Sequence, residues 1–264
     1  MTAPTLRAKI EYVIFDMDGL LTTRSTDAQR IYTQVTNDIL ARYGLKMTWE
    51  IKAGLMGKVQ REASEYLFSH FPGLEQKLSI DDYLTERIAM QDELFRRVPP
   101  MRGAVALVQS LHKAGVPIAL ATGSNKRNFE LKTAHLPELF GLFDADAILT
   151  ADSPEVRPGR GKPNPDIFLA AATKLGKDVG SPDAEPTAAQ AAERARGLVF
   201  EDARPGVAAG VKAGMNVVWV PEPELLALEP DANFGAKQVL AHLEQWDPKE
   251  WGLPPVSFVV PDLK

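Results

Sequence analysis

The chain contains no cysteine and only four histidines in 264 residues. Without cysteine there is no disulfide framework, no thiolate metal site and no cysteine nucleophile. The absence fits a reducing compartment. The histidines, His70, His112, His135 and His242, show no metal-ligand spacing. Positive charge is also short, with 30 Lys and Arg against 35 Asp and Glu, a net charge of −5. That balance argues against the basic footprint of a nucleic-acid binder. Long apolar runs are missing too: none approaches the roughly 18 residues of a membrane span. The first apolar stretch is short and runs into acids, unlike a secretory signal. These absences predict a cytoplasmic protein with neither a nucleic-acid nor a membrane partner. What remains is an ordinary globular composition, 45% hydrophobic and 25% charged. A chain of this length can bury a sizeable core unaided.

Five short apolar runs read as buried parallel strands: Tyr12–Phe15, Val116–Ala121, Ala147–Leu149, Leu198–Phe200 and Val217–Val220. Helical stretches such as Ala104–Lys113 and Pro165–Leu175 lie between them. Alternation of this kind predicts an α/β fold with a doubly wound parallel sheet. About a hundred residues without a clear strand separate the first two runs. Arg30–Tyr43, Lys58–Ser69 and Ser79–Arg96 read there as amphipathic helices. That is too long for one crossover, so residues 22–100 are expected to be an inserted all-helical domain. Residues 1–21 and 101–264 then form the core. The stretch from Gly176 to Gly197 reads as a surface loop followed by an Ala-rich helix. The apolar, proline-broken tail, WGLPPVSFVVPDLK, is expected to pack back on the core.

In open α/β sheets, ligands sit beyond the carboxyl ends of the strands. After the first predicted strand comes Asp16-Met17-Asp18-Gly19, and after the second Thr122-Gly123-Ser124-Asn125. The third leads to Gly161-Lys162-Pro163 and the fourth to Glu201-Asp202-Ala203. Singly, each is a common turn, helix cap or solvated pair. Together they bring acids, a hydroxyl and a lysine to one edge of one sheet. Two aspartates only two residues apart repel each other, so a cation is expected beside them.

The set FDMDG, LATGS, GKPNPD and VFEDA resembles the four motifs of the haloacid dehalogenase-like superfamily of phosphotransferases. The resemblance covers nearly the whole chain. It implies a Rossmann-like core with a helical cap inserted between the first two motifs. It makes Asp16 the nucleophile, forming an aspartyl-phosphate. Asp18 becomes the general acid and base. Thr122 would bind phosphoryl oxygens, with the N–H groups of Gly123 and Ser124. Lys162 would hold the nucleophile and phosphate charges together. Asp16, the backbone carbonyl of Asp18 and Asp202 would hold Mg²⁺, with Glu201 as an outer partner. The resemblance also implies a small phosphorylated metabolite as substrate and a monomeric enzyme. Within the family, GLMGK, SPEVRPGRGKPNPDIFLA and WGLP look most like phosphatases of pseudouridine 5′-phosphate. Phosphatases of small sugar and polyol phosphates are next. On this resemblance Gly57 and Lys58 lie on a cap loop that contacts substrate.

Some segments depart from the family pattern, Arg204-Pro205 after the fourth motif among them. About four residues are inserted around Thr22–Thr26, read as a lengthened hinge. The Arg157–Gly161 stretch is about two residues longer, with extra arginines near Lys162. A sugar phosphomutase shares every core motif, and a catalytically weakened binding protein shares the scaffold; both stay open as alternatives. A dehalogenase does not, because those relatives lack the second aspartate.

Overall fold

The computed structural model describes residues 9–22, 25–55, 60–228 and 231–258. The chain divides into two compact units, Met1–Arg24 with Pro99–Lys264, and Ser25–Val98. The larger is built on a six-stranded sheet. Its strands are β1 (Tyr12–Phe15), β2 (Ile118–Ala121), β3 (Ile148–Leu149), β4 (Gly197–Glu201), β5 (Asn216–Trp219) and β6 (Gln238–Val239). They run in the order β3-β2-β1-β4-β5-β6, every pair parallel. The first five overlap the five apolar runs, β1 at the predicted bounds and the others shifted by one or two residues. β6 has two half-buried residues, Gln238 and Val239, and carries no apolar run to reveal it.

The smaller unit is helical: α1 (Ser25–Ala41), α2 (Trp49–Leu55), α3 (Gln60–Ser69) and α4 (Ile80–Phe95). Val35, Ile39, Leu67, Phe68 and Tyr83 lie in its own core, which is how a short insert stays folded. Ser79 caps α4 by accepting from the Asp82 N–H. Of the segment read as a lengthened hinge, Ser25 and Thr26 belong to α1. Thr23 and Arg24 lie outside the described residues, as do Gly57 and Lys58. The short helix α2 was not anticipated; seven residues give too little periodicity to read.

The remaining helices are α5 (Ala104–Lys113), α6 (Lys126–Thr133), α7 (Pro137–Phe140), α8 (Asp166–Lys174), α9 (Ala188–Arg194), α10 (Arg204–Lys212) and α11 (Pro223–Leu228). Strand side chains alternate between two faces. Val13, Phe15, Leu120, Leu198 and Phe200 meet Leu107, Leu111 and Leu139 from α5 and α7. Tyr12, Ile14, Ala119, Val199 and Val217 meet Phe168, Ala171 and Val207 from α8 and α10. Burial on both sides explains why these strands read as unbroken apolar runs. Trp246, Trp251 and Leu253 join the first of these cores and Val256 and Phe258 pack against it, so the C-terminal segment lies on the core as far as the described residues run. No described helix is long and apolar enough to cross a membrane.

Candidate active site

β1 ends by delivering Asp16 into the buried edge of the sheet, its N–H donating to Phe200 O at 3.0 Å. The chain then folds on itself. The N–H groups of Leu21 and Thr22 both donate to Met17 O, and that of Gly19 to Thr22 O. Gly19 has φ of 96°, a left-handed conformation that side chains disfavour. A Cβ there would also stand 2.0 Å from Asp202 Oδ2. The glycine after the two aspartates therefore lets Asp202 approach the turn.

Lys162 arrives from the loop before α8. Its Nζ donates to Asp16 Oδ1 at 2.5 Å, Glu201 Oε1 at 2.7 Å and Ala121 O at 2.9 Å. It also lies 4.9 Å from the centroid of the Phe168 ring. Burial alone would lower its pKa, but Asp16 and then Glu201 raise it, so it stays a cation. One ammonium serves two buried carboxylates. Burial, reinforced by Glu201 and Asp18, outweighs Lys162 and pushes the Asp16 carboxyl up to about 7. A second cation is thus the natural complement of the site.

Asp16, Glu201 and Asp202 each offer an oxygen within 4.8 Å of the others. Glu201 is already committed, with Oε1 on Lys162 and Oε2 accepting from the Ala203 N–H at 3.0 Å. Gly206 makes room for it, since a Cβ there would sit 1.6 Å from Glu201 Oε1. Trp219 Nε1 fixes the neighbouring turn by donating to Asp202 O at 2.8 Å. The donor set is all oxygen and carries surplus negative charge, which fits a hard divalent cation such as Mg²⁺.

Asp18 turns to different partners. Its Oδ1 accepts from Lys132 Nζ at 2.7 Å, and its Oδ2 from Ser124 Oγ at 2.7 Å and Thr122 Oγ1 at 3.4 Å. Thr122 is fully buried, and its Oγ1 accepts from the Ser124 N–H at 3.0 Å. Thr122 Oγ1 thus donates to Asp18 and accepts from the Ser124 N–H, while Ser124 Oγ donates to the same carboxylate. Asn125 caps α6 through the Asn128 N–H, immediately after Gly123 and Ser124.

Lys132 was missed by sequence reasoning, although a signal existed. It sits three residues after Phe129 in α6 and shares the buried side of that helix with Thr133. A lysine at an inward position requires an acid. The arginines near Lys162 also find an explanation. Arg160 grips Asp166 through Nε and Nη2, at 3.0 and 2.9 Å, and Arg157 Nη2 adds a third bond at 3.0 Å. Arg157 also bonds Asp183. The lengthened loop is thereby tied to the first residue of α8, on the far side of Lys162.

The family model for haloacid dehalogenase-like hydrolases matches residues 10–214. The chain is 42% identical to (DL)-glycerol-3-phosphatase 2 of Arabidopsis thaliana over 94% of each chain. It is 37% identical to a probable pseudouridine-5′-phosphatase of Drosophila melanogaster, over 93% of this chain and 95% of that one. Among solved structures it resembles a HAD family hydrolase from Deinococcus radiodurans with bound phosphate and sodium. The TM-score is 0.66 and the identity 25%, over 94% of this chain and 99% of the other. The order of the strands, the acids and lysines at their carboxyl ends, and the family match over most of the chain agree: this protein belongs to the haloacid dehalogenase-like hydrolases.

Proposed function

We propose that the protein is a Mg²⁺-dependent phosphomonoesterase acting on a small phosphorylated metabolite through an aspartyl-phosphate. The observation that carries this reading is the separation of its two aspartates. One four-residue turn gives Asp16 to Lys162 and Asp18 to Lys132. Two carboxylates with different partners can take different roles in one reaction. Asp16 is the nucleophile: its carboxylate attacks phosphorus, and the bond to the alcohol oxygen breaks. Asp18 gives that oxygen its proton, then takes one from the water that hydrolyses the acyl phosphate. Lys162 orients Asp16 and offsets charge that would repel an anionic substrate. Asp16, Asp202 and the Asp18 carbonyl are the residues to hold Mg²⁺. When bound, the ion neutralises charge between nucleophile and phosphate.

The relatives support a polyol or nucleoside phosphate. Glycerol 3-phosphate is favoured over pseudouridine 5′-phosphate because the glycerol-phosphatase relative is the more similar of the two reported. The helical unit Ser25–Val98 is read as the substrate-selecting cap, supported by its place after β1 and its separate core. The deciding experiment measures phosphate release with Mg²⁺ across glycerol, sugar and nucleoside monophosphates, with Asp16→Asn as control. Preference for glycerol 3-phosphate is expected. Turnover that survives Asp16→Asn, or none from the wild type, overturns the reading.

A further inference from the structure

Lys132 lies outside the four motifs, yet it is among the most buried cations of the core, at 5% exposure. An ammonium in that position needs an anion. Its Nζ meets Asp18 Oδ1 at 2.7 Å and Ser124 Oγ at 3.1 Å. Ser124 Oγ in turn reaches Asp18 Oδ2 at 2.7 Å. The carboxylate is therefore held at both oxygens, by a lysine on one side and a hydroxyl on the other. The lysine and the serine also hold each other. Both come from the β2–α6 segment, Ser124 just before the start of α6 and Lys132 in its last turn, so one segment governs the orientation of one side chain on the β1 turn. Nothing comparable is needed for Asp16, which has Lys162.

We propose that Lys132, acting with Ser124, is a positioning residue for Asp18, setting the geometry from which that carboxyl exchanges a proton with the leaving oxygen and the attacking water. This rests on the phosphatase reading above. Loss of position matters most where the proton matters most. When an alkyl phosphate is cleaved, the P–O bond breaks and the leaving oxygen must take a proton as it departs. A dinitrophenolate leaves as the anion and needs none. A defect in Asp18 placement should therefore select between leaving groups. A defect in general packing should not.

The experiment compares first-turnover rates on glycerol 3-phosphate and 2,4-dinitrophenyl phosphate by rapid mixing, with Mg²⁺ present. Lys132→Met is expected to slow phosphoenzyme formation from glycerol 3-phosphate about 100-fold, and from the aryl phosphate less than about fivefold. Lys132→Arg should recover part of the loss on the alkyl ester. In an Asp18→Asn background, adding Lys132→Met should cost less than about threefold, because its effect runs through Asp18. Ser124→Ala removes one hold without stranding a buried charge. It should show the same leaving-group bias at smaller size, and it carries the test if Lys132→Met does not fold. Equal losses on both substrates, or full additivity with Asp18→Asn, overturn the proposal and leave Lys132 a packing residue. A wild-type enzyme inert towards both esters overturns the phosphatase reading itself, and the proposal with it. That outcome is recognisable because it appears before any substitution is made.

Discussion

Lys162 Nζ stands 2.5 Å from Asp16 Oδ1 while holding Glu201 Oε1 at 2.7 Å. It is the shared counter-charge of two buried carboxylates. Lys162→Met leaves both without it. Removing one partner of a buried pair typically costs about 3–5 kcal/mol. A clear fall in Tm is expected without Mg²⁺, with partial recovery when Mg²⁺ is added. Turnover should drop at least about 100-fold at saturating Mg²⁺, as for loss of a preorganised electrostatic group. Calorimetry with and without the ion, beside phosphate release, checks both. Unchanged Tm and unchanged turnover would separate Lys162 from the site.

Two glycines sit against the acids. Gly19→Ala puts a side chain at φ of 96° and drives it into Asp202. Mg²⁺ affinity should weaken about 10- to 100-fold, the range for disturbed support around a metal site. Gly206→Ala drives instead into Glu201, 1.6 Å from Oε1. It should lower Tm by loosening Lys162, with a smaller effect on Mg²⁺. Titration calorimetry with Mg²⁺ distinguishes the two. Equal ion affinity in wild type and Gly19→Ala would sink this account.

Mg²⁺ itself is tested through Asp202. Asp202→Asn keeps the shape and removes one charge from a cluster whose acids repel. Ion affinity should fall at least about tenfold. The ion-free Tm should hold or rise, because like-charge repulsion is relieved. A chelator should abolish wild-type phosphate release, and Mg²⁺ should restore it. Full activity in the chelator would contradict the Mg²⁺ requirement.

The loop bearing Lys162 has its own acid sensitivity. Burial opposes ionisation of Asp166, but hydrogen bonds from Arg160 and then Arg157 outweigh it and hold its carboxyl below its ordinary value. A depressed folded pKa stabilises the protein above the unfolded value, near pH 4, and that contribution is lost as pH falls through the folded value. Below about pH 4 the wild type should therefore lose Tm faster than Asp166→Asn, which lacks this titration from the start. Parallel acid profiles would refute the linkage.

The strands of the core were legible because each is buried on both faces and must be apolar at every position. Tyr12–Phe15 appears at its predicted bounds. Helix starts were less legible: α1 begins at Ser25, five residues before the periodicity became visible. Asp16, Asp18, Thr122, Lys162, Glu201 and Asp202 were found because chemistry at strand ends is written in short contiguous motifs. Lys132 was not, since its partner lies 114 residues away and its helix carries no motif.

What the sequence determined alone is local: which segments are apolar enough to become central strands, and which acids, hydroxyls and lysine follow them. Residue order also set the reversing glycine after Asp18 and the long insert after β1. Only the tertiary structure decided who pairs with whom. It gave Lys162 to Asp16 and Glu201, Lys132 to Asp18, and both arginines of the lengthened loop to Asp166. The reason is physical. Strand propensity and turn chemistry act over a few residues, whereas a buried charge is satisfied by whichever opposite charge the packed chain brings within about 3 Å.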